Sequence, residues 1–180
     1  MNASEFISIK GENIKSYVQS CTLRLCLPFC LIAKGIEKEY INTKQNDIIF
    51  QDDYVTAFIS SCWWKNNKGH VIIIPNEHIE NIYDLPSEIS YRIHDLEKDI
   101  AIALKETYRC DGVSSRQHNE PCGNQDVWHY HLHVFPRYKN DNLYKSEREN
   151  TKPEERLEYA IKLKDYFIKM KHNQDADSQK

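Results

Sequence analysis

From Trp128 to Phe135 the chain alternates strictly, with Tyr130, Leu132 and Val134 on one side and His129, His131 and His133 on the other. A period of two suits an extended strand and not a helix. The segment is therefore predicted to be a half-buried strand with three imidazoles in a row, roughly 7 Å from one to the next. A core face has no use for three polar rings, and a solvent face has no reason to select histidine three times. Two chemistries employ such a row. One is a metal site, because neutral imidazole binds zinc and similar ions. The other is phosphoryl or nucleotidyl transfer, in which one ring attacks and its neighbours neutralise phosphate charge. A chance histidine-rich exposed strand is the third, chemically idle reading.

The flanking sequence supplies more strands and two helices. Ile48–Gln51 and Tyr54–Ser60 are β-rich runs separated by Asp52-Asp53, a hairpin-like turn, and His70–Ile74 is a β-branched run closed by Pro75. Cys21–Gly35 is apolar-rich, with Gly35 as the stop of a short helix. From Pro86 to Tyr108 the apolar residues Ile89, Ile93, Leu96, Ile100, Leu104 and Tyr108 line one helical face, and Gly112 serves as the stop and as the start of a strand to Gln117. Thr151-Lys152-Pro153-Glu154 announces a second helix, with Thr151 as cap and Glu154 reciprocating. Its predicted packing side is Leu157, Ile161, Lys164 and Ile168, widened by Ala160 and Phe167. Strands, a long helix, a strand and a final helix point to an α+β fold with an antiparallel sheet.

The 180 residues suit one domain with additions: an arm at 1–20, a domain at 21–145, a helical extension at 146–170 and a polar, disordered tail at 171–180. A net charge of −3 gives no basic face for a nucleic-acid polymer, so an anionic ligand should be small. No apolar run is long enough to span a bilayer, and Met1–Tyr17 does not read as a secretory signal. The six cysteines are thus expected to be thiols in a reducing cytoplasm.

His129-Tyr130-His131-Leu132-His133-Val134-Phe135 resembles the signature of the histidine triad family. Gly69–Ile79 is similar to that family's strand and turn carrying a fourth histidine, Pro121–Val127 to the loop that leads into the triad, and Pro28-Phe29-Cys30 to its opening. The resemblance covers about residues 27–138. It implies a histidine-triad-like fold, with about five antiparallel strands, a long helix and a carboxy-terminal helical extension. It implies that His131 attacks the α-phosphorus of a nucleotide, that His133 and His70 contact phosphate oxygens, and that His129 orients the nucleophile. A homodimer is implied as well. His118 stands where relatives carry a phosphate-binding amide, and Asp126 where a hydroxyl residue lies near the leaving group. With Gln125 in the same loop, these are candidate substrate-binding residues.

The ribose position, commonly an acid or amide in relatives, is here Cys62 or Ser60, followed by Trp63 and Trp64, each buried or stacked on a base. Cys30 and His78 match two positions of a zinc site known in some relatives, but Leu27 replaces the first cysteine and Cys26 is displaced by one residue. Structural zinc is therefore not expected; no cofactor is required, and a divalent cation enters only with the substrate. The residues after the triad look more like the dinucleoside-polyphosphate-hydrolase branch than the phosphoramidase branch, with Arg137 and Lys139 as candidates for a distal phosphate. A phosphoramidase, and a catalytically weak nucleotide- or metal-binding regulator, are the alternatives.

Overall fold

The computed structural model describes residues 28–143 and 145–177. The arm expected over 1–20, and Cys21 and Cys26, lie outside the described residues. Strands β1 (Ile48–Gln51), β2 (Val55–Ile59), β4 (Val71–Pro75), β5 (Gly112–Gln117) and β6 (Leu132–Arg137) form one sheet in the order β1-β2-β4-β6-β5, with every neighbouring pair antiparallel. β3 (Cys62–Trp64) and β7 (Arg148–Asn150) make a separate antiparallel ribbon that the sequence pattern did not suggest. Residues 28–33 are helical (α1), and the long helices are α2 (Ser87–Tyr108) and α3 (Pro153–Asp177). This is the expected mixed architecture of a five-stranded antiparallel sheet, a long helix and a carboxy-terminal helix.

Local chemistry accounts for the element ends. Asp52 closes the β1–β2 turn by accepting the backbone N–H groups of Tyr54 and Val55 on Oδ1, each at 2.8 Å. Gly35, at φ +70°, ends the α1 turn as expected. α2 stops differently from the prediction: Arg109 takes the left-handed conformation at φ 56°, while Lys105 Nζ donates to the carbonyls of Cys110 and Asp111. Gly112 is thereby freed to open β5.

One sheet face carries Ala57, Ile59, Val71, Ile73, Leu132 and Val134 against Ile93, Leu96, Ile100 and Leu104 of α2, all within one core. Burial of each such aliphatic side chain contributes about 1.5–3 kcal/mol. The other face carries Phe58, Ile72 and Ile74, covered by Phe29 and Ile32 of α1. The predicted half-buried strand is thus corrected on two counts. β6 begins at Leu132, because Tyr130 N–H donates to Ile79 and not to a ladder partner. Both of its faces are covered, and His129, His131 and His133 are only 0%, 2% and 7% exposed.

α3 packs on the same core, with Phe167 against Phe50 and Tyr159 against Trp63 and Tyr108. Its buried line is Arg156, Ala160, Leu163 and Phe167, so the predicted packing side is corrected: Leu157, Ile161 and Ile168 face outward. The buried line is offset from the predicted one by one residue, or roughly 100°; it keeps Ala160 and Phe167 and includes Arg156, paired with Asp47 at 2.8 Å. The cap also differs. Thr151 Oγ donates to Ser61, and it is Glu155 that accepts the Lys152 N–H. α3 continues through 171 to Asp177, a polar stretch from which a disordered tail was expected. Among the described residues no helix is long and apolar enough to cross a membrane.

Candidate functional site

The histidines collect on the sheet face opposite α2. His131 Nδ1 lies 2.8 Å from the carbonyl oxygen of His129. A carbonyl only accepts, so Nδ1 carries the hydrogen and Nε2 carries the lone pair in the neutral ring. Burial lowers the His131 pKa below its ordinary value and favours that neutral ring at physiological pH. Nε2 faces the carboxylate of Asp126, with Oδ1 at 3.8 Å, and Asp126 itself is largely exposed. Phe29 of α1 braces the ring edge-on, with centroids 5.4 Å apart. The backbone carbonyl of His129 thus fixes the orientation and tautomer of the candidate nucleophile.

The imidazole of His129 has other partners. Its Nε2–H donates to the carbonyl of Pro75 at 2.9 Å, which leaves Nδ1 as the lone-pair nitrogen, 3.5 Å from Cys30 Sγ. His78 Nδ1 lies 3.6 Å from the same sulfur, while its Nε2 is 3.7 Å from Glu80. The three atoms lie within 4.8 Å of one another and form a cluster capable of holding a metal ion. An expectation of no zinc site is not supported by this geometry. Tetrahedral zinc with ordinary Zn–S and Zn–N bonds would set sulfur and nitrogen about 3.6 Å apart. Cys26 falls outside the described residues and adds nothing either way.

His133 Nδ1 and His70 Nε2 are 3.3 Å apart, and His70 Nδ1 is buried without a hydrogen-bond partner among the described residues. His70 therefore reaches the site through His133. Burial is the leading cause that holds both rings down, His70 to about 3 and His133 well below its usual value. His133 and His70 each stack on Phe135.

The remaining candidates separate. His118 donates Nδ1–H to the Gly123 carbonyl, so its Nε2 donates to a ligand only when the ring is protonated. Gln125 is buried and spends its amide on Glu80, Val127 and Glu120, holding the loop that precedes the triad. Ser60 Oγ is engaged with the backbone of Cys62, and Cys62 sits on β3 opposite Asn150. Arg137, expected near a distal phosphate, is instead tied in a two-point ion pair to Asp141 at 2.7 and 2.8 Å and bonds Ser114. Trp63 is core; Trp64 packs beside His70 and Phe135. Two functional candidates were missed, Arg116 and Arg148, whose guanidinium carbons lie 4.9 and 5.0 Å from the Trp64 ring. Strand register alone would have found Arg116, since it is paired with His133.

Residues 42–140 match the family model described as the HIT domain. The chain is 30% identical over 134 residues, 72% of its length and 88% of that protein's, to Protein hit of Bacillus subtilis. It is 28% identical to the adenosine 5'-monophosphoramidase of Saccharomyces cerevisiae over 60% of this chain and 62% of that one. Two solved structures share the fold at lower identity. A Zn-bound histidine triad family protein from Mycobacterium smegmatis is 23% identical with a TM-score of 0.66, over 82% of this chain and 96% of that one. The Plasmodium falciparum diadenosine triphosphate hydrolase is 16% identical with a TM-score of 0.62, over 79% and 97%. These relatives come from both branches and do not choose between them.

Proposed function

The chain belongs to the histidine triad family, and from that premise we propose that it cleaves nucleotides at the α-phosphate through a covalent nucleotidyl-His131 intermediate. The observation that carries this reading is the His131 Nδ1–H bond to the His129 carbonyl, which leaves a fixed lone pair on Nε2. In the first step that lone pair forms a P–N bond while the bond from phosphorus to the leaving group breaks, the leaving group keeping the electron pair. Water then attacks phosphorus and releases a proton to solvent as the P–N bond breaks, and Nε2 recovers its lone pair. A preoriented ring nitrogen avoids the need to activate water in the first displacement.

His133 serves as the donor to the phosphate when His70 Nε2–H points to His133 Nδ1, because the hydrogen of His133 then sits on its outward Nε2. His70 positions that tautomer. Dinucleoside polyphosphates or related nucleotides are the substrates in this reading. A nucleoside phosphoramidase is the second reading, favoured by the resemblance to the yeast enzyme. A homodimer in the cytoplasm belongs to the same proposal, and light scattering on the purified protein reads the oligomeric state.

Cys30, His78 and His129 fit a zinc ion, with Glu80 and the Pro75 carbonyl as outer partners that direct each lone-pair nitrogen inward. Such an ion supplies a structural link between α1 and the segment entering β6.

The test is incubation with a panel of dinucleoside polyphosphates and nucleoside phosphoramidates, comparing native protein with His131→Ala. Native turnover with loss of several powers of ten in the variant is expected, together with a nucleotide trapped on His131 by mass spectrometry. No turnover of any member, or native rates in the variant, refutes the reading.

A further inference from the structure

The β5–β6 ladder sets Arg116 directly across from His133, and directly opposed residues of an antiparallel pair share a face. The β3–β7 ladder sets Arg148 across from Trp64. Both guanidiniums lie within cation–π range of that one indole, and Arg116 is also 5.5 Å from the Phe135 ring. Asp126 links Arg148 to the site: Oδ2 is 3.8 Å from Arg148 Nη2, while Oδ1 is 3.8 Å from His131 Nε2. One carboxylate therefore spans the gap between the attacking nitrogen and a guanidinium.

We propose that Arg116 and Arg148 form an anion subsite that takes the phosphate tail of the leaving group, so that the enzyme prefers nucleotides whose leaving group is itself a phosphate chain. The inference rests on His131 as the attacking group. With the α-phosphorus at Nε2, displacement in line sends the leaving group away from the triad, one phosphate unit toward the rim. Arg148, its side chain 48% exposed, is linked to the attacking nitrogen through Asp126. The planar fork of arginine matches phosphate oxygens, and the tail's negative charge grows as the P–O bond breaks and the tail keeps the electron pair. A phosphate chain departs without needing a proton, whereas an amine must gain one and offers two guanidiniums nothing to hold. The arginines also lie close enough to act on His70, where their charge follows burial among the causes that keep the ring neutral.

The test uses the full chain and Arg116→Met/Arg148→Met, with Arg116→Lys/Arg148→Lys as the charge-retaining control. A diadenosine tetraphosphate and an adenosine phosphoramidate are assayed in parallel. The ratio of kcat/KM for the polyphosphate over the phosphoramidate should fall roughly ten- to a hundredfold in the methionine variant. The lysine variant should recover part of it. Equal loss on both substrates marks a structural role and overturns the proposal, as does an unchanged ratio. Binding of inorganic tripolyphosphate by calorimetry separates this outcome from failure of the catalytic reading, because it needs no turnover. Native binding weakened at least tenfold in the methionine variant supports the subsite, and equal binding by both refutes it.

Discussion

Arg156→Met is the perturbation with the most definite consequence for the fold. The Arg156 side chain is fully buried and donates four hydrogen bonds: Nη1 to Thr151 O at 2.7 Å and Thr151 Oγ at 3.2 Å, Nη2 to Asn42 O at 2.7 Å and Asp47 Oδ2 at 2.8 Å. Methionine fills much of the same volume but leaves the Asp47 carboxylate inside with the Lys44 N–H, at 2.7 Å, as its remaining donor. Removing one partner of a buried pair costs about 3–5 kcal/mol, chiefly the burial of the uncompensated charge. Arg156 Nε has no partner among the described residues, so its removal returns a small part of that cost. At a urea slope of about 2 kcal/mol per M the midpoint should fall by roughly 2 M. In the double variant Arg156→Met/Asp47→Asn the charge is gone, and the two changes should couple by about 1–3 kcal/mol. Urea unfolding of native protein, both single variants and the double variant measures the cycle. A loss below about 1 kcal/mol in Arg156→Met, or simple additivity in the double variant, would refute the claim that this buried pair anchors α3.

Gly69, at φ +72°, precedes His70, and a Cβ there would lie 2.3 Å from Tyr159 Cδ1 and 3.0 Å from Tyr108 Cε2. Gly69→Ala should therefore lose about 2–4 kcal/mol, seen as a drop of roughly 5–15 °C in Tm, and an unshifted melt contradicts it. The bonds from Arg137 hold the buried Asp141 carboxyl well below the usual range. A depressed folded pKa contributes stability above the unfolded value near about 4 and loses it as pH falls below that. Asp141→Asn should be less stable than native protein at neutral pH, with the gap in thermal melts starting to narrow only as pH falls below about 4; a constant gap sinks the assignment. Zinc-loaded protein should hold one ion per chain by elemental analysis, and Cys30→Ser or His78→Ala should lose it. Full retention in both variants argues against the Cys30–His78–His129 site.

Periodicity alone was enough for most elements. The two-residue alternation through His129–Val134 and the helical spacing of Ile89 to Leu104 are local signals, since each depends on which side of one element must be covered. The four histidines were legible for the same reason, together with the family resemblance of their flanks. Other features depend on what lies across from a residue. Arg156 reads as a surface charge until Asp47, 109 positions earlier, meets it inside the fold. Arg137 reads as a free cation until Asp141 claims it. The β3–β7 ribbon brings Trp64 to Arg148, and strand register brings Arg116 to His133. His129 and Cys30 are 99 positions apart, and only their contact makes a metal-ligand set of them. Sequence by itself determined where apolar residues and imidazoles recur, because spacing is a property of a single element. The tertiary structure decided which arginines stand near the histidines, because strand pairings that chain order does not place side by side bring them there.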